Sequence, residues 1–469
     1  MKGSNAPRTI GLIDTHAHLS FPQFKDDIRS VLDRAWNAGL QHIIVVGAGD
    51  GLDGNEKALE FSRTDERLFA TVGIHPHDTA EIKDEWISKL KKIALDEKIV
   101  AFGEIGLDYY HKHSSPDIQR SRFADLLNLA CDIGKPVVIH DRDAHADVWK
   151  IIEKVGIPKQ GGVFHCFSGD VKFAKKVIDA GFCISIPGVV TFKNANALQE
   201  VVAVMPLEKM VIETDSPYLT PEPYRGKRNE PAFVAKVAAK IAEIKGLNVE
   251  DVARVTSLNA RRLFGLPGAE LETHIAYKIR NSLYLNITNR CNLACRFCPK
   301  HQDYEVKGYC LKLEKEPNVE EIFQAMGQPD KYDEVVFCGY GEPTTRLEIL
   351  KVIALRMKET GVKKVRLNTD GLANLVYGRN VLPELKGIVD SISISLNAPD
   401  AKTYVQNCPS KFGEAAYEAM CSFILEAKRH IPEVQASVVA LPGLNIEECR
   451  KKAMELGVKL RVREYMNVG

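Results

Sequence analysis

The chain has 469 residues, 45% of them hydrophobic and 27% charged, with a formal net charge of +1. That balance excludes a disordered chain and a chain built of membrane spans, and the length exceeds one ordinary core and suffices for two domains. A near-neutral charge offers no bulk attraction for nucleic acid, so any phosphate recognition has to come from a local patch.

Residues 1–8 contain no apolar h-region and no later apolar run reaches the length of a membrane span, so a cytoplasmic location and no membrane partner are expected. Eleven cysteines in a large chain without an export signal read as reduced thiols rather than disulfides.

From residue 9 to about residue 266, short apolar runs alternate with amphipathic stretches, the pattern of repeated strand-helix units around a parallel sheet. Strands are predicted near residues 10–13, 42–47, 68–73, 99–104, 136–140, 162–165, 182–186 and 209–215. Eight strands in about 250 residues predict an α/β fold, a (β/α)8 TIM barrel whose chemistry sits at the carboxyl ends of the strands. Those ends carry His16 and His18, Glu104, His140, His165 and Asp215. His16 and His18 are two apart, so a strand turns both imidazoles to one side. A single histidine on an apolar strand is ordinarily a satisfied core residue. The six together read as one divalent site, binuclear, suited to zinc, or to manganese or magnesium where carboxylate and water dominate. His77, His111, His113 and His145 fall near the same mouth, complete no pattern, and read as structural.

These strand ends lie in the motifs DTHAH at 14–18, VGIHP at 72–76, GEIGLD at 103–108, IHDRDA at 139–144, HCFSG at 165–169, ETDSPYL at 213–219 and RGKRNEP at 225–231. The set resembles the TatD-type metal-dependent deoxyribonucleases of the amidohydrolase superfamily. The resemblance implies one metal held by His16, His18, Glu104 and Asp215, and a second held by a bridging Glu104 with His140 and His165. It also makes Asp215 the group that orients or deprotonates the attacking water. The reaction implied is DNase- or exonuclease-like phosphodiester hydrolysis on a nucleic acid. Two cations suit it, because they lower the pKa of a bound water, polarise a phosphoryl oxygen and stabilise the leaving alkoxide. His75, Arg142, Arg225, Lys227 and Arg228 are candidate phosphate contacts, with a solvated loop the other reading of the 225–228 cluster. Hydrolysis of a small cyclic amide or ester is an alternative activity, and a binding module that presents substrate to the second domain is another.

Residues 259–268 read as a helix end followed by a Gly/Pro stop. The first domain is therefore placed at 1–268, a short mixed-charge connector at 269–280 and the second domain at 281–469. A strand at 282–288 runs into Cys291, Cys295 and Cys298, a C-x3-C-x2-C run. Three thiolates suit a 4Fe-4S cluster with one iron left free of protein. Zinc completed by His301 or Cys310 is the other reading. Further strands at 333–338, 364–367, 391–396, 435–440 and 459–463 predict a partial (β/α)6 barrel open on one side.

The cysteine run, with GYGEP at 339–343, NTDG at 368–371 and SISISLN at 391–397, resembles the radical S-adenosylmethionine (radical SAM) enzymes. The two resemblances in one chain look like a TatD-linked radical SAM fusion, a bifunctional enzyme. By resemblance, Cys291, Cys295 and Cys298 hold the cluster, whose free iron takes the amino and carboxylate groups of S-adenosylmethionine. Phe297 lies near the adenine. Gly339, Gly341, Glu342 and Pro343 form the element that receives the ammonium, departing from the usual GGEP by Tyr340. Ser393, Ser395 and Asn397, with Asn368 and Asp370, face ribose and carboxylate. The chemistry implied is reductive cleavage to methionine and a 5′-deoxyadenosyl radical, with flavodoxin or ferredoxin as electron donor. Cys310, Cys338, Cys408, Cys421 and Cys449 show no second cluster spacing, and the loop at 299–317 is expected to cover the site.

Overall fold

The computed structural model describes residues 11–111 and 113–465. The reading of residues 1–8, the first residue of the predicted first strand and the last four residues of the predicted second domain lie outside them. The chain divides into two compact units between Ala269 and Glu270.

The first unit contains β1 (Leu12–Ala17), β2 (Leu40–Val45), β3 (Leu68–Val72), β4 (Ile99–Asp108), β5 (Val137–Arg142), β6 (Gly162–Phe164), β7 (Cys183–Ile186) and β8 (Met210–Ile212). They pair in sequence order, every pair parallel. Past the end of β8 the chain returns to β1: Asp215 N donates to His16 O at 2.9 Å and His18 N to Ser216 O at 2.8 Å. The ring is thus closed at the mouth, where the site residues sit. All ten residues of β4 are buried, because one face meets the barrel interior and the other meets helices, so its sequence shows no apolar-polar alternation.

Local chemistry sets the helix ends. In helix Pro116–Ile133, Ser115 caps the N-terminus by accepting from Ile118 N, Pro116 fits the first turn, and Gly134 at φ 74° ends it. Phe123, Leu126, Leu127 and Ala130 are buried along one of its faces. The helix end predicted at 259–268 is the close of helix Val249–Phe264, with Gly265 at φ 64°.

The second unit contains β9 (Ala276–Ile279), β10 (Ser282–Leu285), a small antiparallel pair of β11 (Glu305–Val306) and β12 (Tyr309–Cys310), then β13 (Glu334–Phe337), β14 (Val365–Thr369), β15 (Ser391–Ser395), β16 (Glu433–Ala440) and β17 (Lys459–Glu464). The main sheet runs β17-β16-β15-β14-β13-β10-β9. Six parallel strands in sequence order form the open half-barrel expected. The seventh is a correction to the sequence reading. Residues 276–279, placed in the connector, form an edge strand antiparallel to β10. Its buried residues are Tyr277 and Ile279, the period-two pattern of a half-buried strand. The turn at Arg280 (φ 52°) and Asn281 is too short for sequence periodicity to separate from a linker. Among the described residues no helix is long and apolar enough to cross a membrane.

His42 on β2 gives the first unit a pH-dependent stability. Burial, then the Arg261 charge, pushes its pKa down to about 4. The folded state therefore keeps it neutral while the unfolded chain takes up a proton near pH 6.5, so its contribution is full above pH 6.5 and is lost as pH falls toward 4. The side chain is partly exposed, so the effect is discounted for screening. Urea unfolding should show His42→Gln losing about 1–2 kcal/mol less stability than the parent between pH 6.5 and 4.5. Identical slopes would refute this assignment.

Candidate metal and cluster sites

In the first unit, β1 delivers His16 and the turn after it His18, β4 delivers Glu104, β5 His140, and the residues just past β6 and β8 supply His165 and Asp215. The six converge on Glu104. Its Oε2 faces His16 Nε2 at 3.5 Å and His18 Nε2 at 4.0 Å, and those two nitrogens lie 3.7 and 3.4 Å from Asp215 Oδ1. Its Oε1 faces His165 Nε2 at 2.7 Å, His75 Nε2 at 3.4 Å and His140 Nδ1 in a short contact. One carboxylate thus serves two donor sets, one oxygen to each.

These residues fit metal ions. His16 Nε2 is buried and, among the described residues, has no hydrogen-bond partner. Its carboxylate neighbours stand at 3.5 and 3.7 Å, too far for good hydrogen bonds. Ligand atoms about 2.0–2.1 Å from one tetrahedral ion lie roughly 3.4 Å apart, close to that spacing. Burial pushes Glu104 toward the neutral acid, but the surrounding His165, His75 and His140 outweigh it and hold the carboxyl well below its usual range. Burial opposes protonation of His165, and the Glu104 charge wins, raising it well above an ordinary imidazole. A cation in either half would take over the role those protons play.

Two non-glycine residues at this site have left-handed backbone, Cys166 at φ 43° and Asp215 at φ 57°. Such conformations cost roughly 1–3 kcal/mol each and persist where surrounding bonds fix them. Here Asp215 N donates to His16 O, and Cys166 N donates to Glu213 Oε1 at 2.6 Å. The predicted strand at 209–215 accordingly ends at Ile212, and the turn at Asp215 re-aims its carboxylate.

Sequence reasoning missed two carboxylates behind the candidate ligands. Glu213, fully buried, accepts from Ser185 Oγ at 2.6 Å as well as from Cys166 N, and lies 3.6 Å from His165 Nδ1. It fixes which nitrogen of His165 faces Glu104, a role that orients a ligand ring. Asp14 accepts from Thr214 N at 2.9 Å and Thr214 Oγ1 at 2.6 Å, joining β1 to the end of β8, and burial pushes its pKa up to about 8. The available signal was spacing: each stands two residues before a ligand-type residue, His16 or Asp215.

The phosphate candidates fare differently. Arg228 is corrected: both terminal nitrogens bind Asp27, at 2.8 and 2.7 Å, and one also donates to Gln23 O at 2.7 Å. A bidentate carboxylate pair leaves that guanidinium little to offer a phosphate. His75 belongs to the Glu104 cluster, and burial lowers its pKa to about 4. Arg142 stacks over Tyr110 with 5.0 Å to the ring centre, Arg225 over Phe192 at 4.3 Å, and Lys227 near Tyr224 at 5.9 Å.

In the second unit the cysteines follow β10 on a loop tied to the end of helix Ala401–Asn407 and the residues just past it. Ala294 N donates to Pro409 O at 2.8 Å and Arg296 N to Asn407 O at 3.0 Å. Burial, then the Glu342 carboxylate, pushes the Cys291 thiol up to about 12. Cys295 is raised further, first by a hydrogen bond with Cys408 and then by burial. Thiols so raised stay protonated unless a cation takes the thiolate, which a metal cluster supplies. Cys408, which the spacing argument set aside, therefore sits against this loop.

Glu342 differs from expectation. Its Oε1 accepts from Thr344 N at 3.0 Å, Thr344 Oγ1 at 2.6 Å and Thr369 Oγ1 at 2.8 Å, and its Oε2 from Asp370 N at 2.7 Å. The carboxylate ties the loop after β13 to the loop after β14, with Oε1 saturated. A Cβ on Gly341 would meet Thr288 O at 2.2 Å and Arg290 O at 2.7 Å, so this glycine lets the loop lie on the chain's own backbone. Tyr340 is buried and its hydroxyl donates to Glu305 O, holding the β11–β12 hairpin. Asn368 accepts from Arg366 Nη1 at 3.3 Å, and Asp370 from Asn292 Nδ2 at 3.1 Å. Ser393 and Asn397 are buried, and Asn397 Oδ1 has no hydrogen-bond partner among the described residues. An orphaned buried amide oxygen fits a site that expects a polar ligand.

Residues 13–265 match the family model described as TatD related DNase, and residues 285–455 match that of the Radical SAM superfamily. The first unit is similar to the uncharacterized metal-dependent hydrolase YabD of Bacillus subtilis (strain 168), 41% identical over 253 residues, spanning 54% of this chain and 98% of that protein. It is also similar to the 3′-5′ ssDNA/RNA exonuclease TatD of Enterobacter lignolyticus (strain SCF1), 33% identical, covering 54% of this chain and 99% of that protein. Among solved structures, the TatD homolog YJJV of Escherichia coli K12 aligns with a TM-score of 0.50 at 29% identity, covering 55% of this chain and 98% of that chain.

Proposed function

We propose, for a chain that belongs to the TatD related DNase family and carries a radical SAM domain, a bifunctional enzyme. Its first domain would hydrolyse phosphodiester bonds of nucleic acid, and its second would generate a 5′-deoxyadenosyl radical. A metal-dependent hydrolase domain and a radical SAM domain make the chain an enzyme, using divalent metal ions on one side and a 4Fe-4S cluster with S-adenosylmethionine on the other. The single observation that carries the hydrolase reading is the division of Glu104, one oxygen toward His16 and His18, the other toward His140 and His165.

His16, His18, Glu104 and Asp215 would hold one ion, and Glu104, His140 and His165 the other. When bound, the pair supplies an acidic water and positive charge against the phosphoryl oxygens. Asp215 Oδ1, fixed by its left-handed backbone, accepts the proton of the attacking water, since the carboxylate is held ionised: burial opposes this, and the hydrogen bond from His18 with the neighbouring imidazole charges outweighs it. Glu213 keeps His165 oriented throughout. Arg142, Arg225 and Lys227 remain to meet the phosphates of the strand. The name of the Enterobacter relative, an exonuclease on single-stranded DNA and RNA, supports this substrate class.

In the second domain Cys291, Cys295 and Cys298 would hold the cluster, leaving one iron for S-adenosylmethionine. When bound and reduced, by a flavodoxin or ferredoxin, that pair supplies a carbon radical shielded by the protein. Phe297 would flank the adenine, Ser393, Ser395 and Asn397, with Asn368 and Asp370, would meet the ribose and carboxylate of S-adenosylmethionine, and Glu342 would act by holding the two surrounding loops in place. All eleven cysteines are free thiols, in keeping with a cytoplasmic enzyme.

The full chain loaded with magnesium, manganese or zinc should release nucleotides from single-stranded DNA. Asp215→Asn should lower kcat by roughly 10³-fold with folding unchanged, the loss expected for a positioned base. Chromatography of released nucleotides measures it, and parent-like turnover by the variant on every phosphodiester tried would remove the hydrolase reading.

A further inference from the structure

A second carboxylate at the barrel mouth gathers imidazoles of its own. Asp108, the buried last residue of β4, has its backbone N–H on Gln119 Oε1 at 2.8 Å and its carbonyl on Gln119 Nε2 at 2.9 Å. Its Oδ1 accepts from the backbone of Tyr110 at 2.9 Å and His111 at 2.8 Å. The carboxylate is thereby fixed, with Oδ2 turned toward three imidazole nitrogens: His77 Nε2 at 2.8 Å, His111 Nδ1 at 2.8 Å and His140 Nε2 at 3.5 Å. Two of the three nitrogens stand at hydrogen-bond distance from this one oxygen and the third lies at its limit.

The same arrangement surrounds Glu104 Oε1, which faces His75, His140 and His165. The His140 ring lies between the two, Nδ1 toward Glu104 and Nε2 toward Asp108. One ligand atom from each of His77, Asp108 and His111 falls within 4.8 Å of the others. The His77 side also carries the His113 ring, 4.5 Å away between centres.

We propose that His77, Asp108 and His111 form a third divalent-cation site, separate from the pair around Glu104 and selective for zinc. Two imidazoles and one carboxylate are a zinc donor set that leaves a fourth position for water. The His111 side chain is 49% exposed, so that position opens to solvent at the mouth. A cation there would meet one nitrogen of each of His77 and His111 and one oxygen of Asp108, atoms the fold already holds together.

The test uses three full-length chains, the parent, His111→Ala and His77→Ala, each stripped with a chelator, loaded with zinc, desalted and assayed by mass spectrometry of the metal. Zinc on the cysteine loop is common to all three and cancels. The parent should hold one zinc more per chain than either variant. Diffraction at the zinc edge should place an anomalous peak between His77, Asp108 and His111 in the parent and none there in His111→Ala. Glu104→Gln should keep that peak while losing those beside residue 104, so failure of this site and failure of the two-metal reading give different maps. Equal zinc content in all three chains, or no peak beside Asp108 in the parent, would overturn the proposal.

Discussion

Glu104→Gln is expected to empty both halves of the first site at once and to lower phosphodiester hydrolysis by at least about 10³-fold, roughly 4 kcal/mol of barrier. The reason is geometric. Among the described residues no other side chain presents one oxygen to His16 and His18 and the other to His140 and His165. An amide at this position keeps one acceptor oxygen and turns an NH2 donor toward the other set, where an imidazole N–H or a cation needs a lone pair. It also removes the charge that holds His165 protonated in the metal-free protein. Metal content should therefore fall by about two ions per chain, with circular dichroism unchanged because the side chain is isosteric. A variant that kept both ions, or kept more than a tenth of the parent's turnover, would show that Glu104 is not the shared ligand.

Cys295→Ser is expected to remove the iron-sulfur cluster and abolish formation of 5′-deoxyadenosine, while hydrolysis by the first domain stays within about twofold. Cys295 lies in the middle of the run, on backbone pinned on both sides by the Asn407–Pro409 segment. A serine hydroxyl titrates far above a thiol and is a poor ligand for soft iron-sulfur centres. After anaerobic reconstitution with iron and sulfide, bound iron should drop below about a tenth of the parent's, and deoxyadenosine should be undetectable under reduction with S-adenosylmethionine. Retention of iron and of that product would mean that the three-cysteine run is not the cluster loop. Loss of hydrolysis in the same variant would mean that the two activities are not carried independently.

The contrast between Glu104 and Glu342 shows what spacing can and cannot convey. Both are buried carboxylates in motifs that point to chemistry. Only the coordinates separate them, because the oxygens of Glu104 face imidazole nitrogens and those of Glu342 are taken by Thr344, Thr369 and Asp370. Arg228 is a similar case: its position in RGKRNEP does not reveal that Asp27, some two hundred positions earlier, already binds it. His77, read as structural, meets Asp108 at the end of β4, 31 positions further along the chain.

By itself the sequence determined the two α/β units, the order of the parallel strands and the convergence of His16, His18, Glu104, His140, His165 and Asp215, because strand-helix alternation and the fixed polarity of a parallel barrel send every strand end to one rim. It also carried the cysteine run whole, since those three residues are local in the chain. The tertiary structure alone decided which carboxylates face donors and which face N–H groups, where β8 stops so that Asp215 can turn inward, that residues 276–279 pair as an edge strand, and that Cys408 lies against Cys295. Apart from the hairpin of β9 and β10, those outcomes depend on partners far apart in sequence, and a side chain's donor or acceptor role is fixed only when the chain has brought its neighbours within about 3 Å.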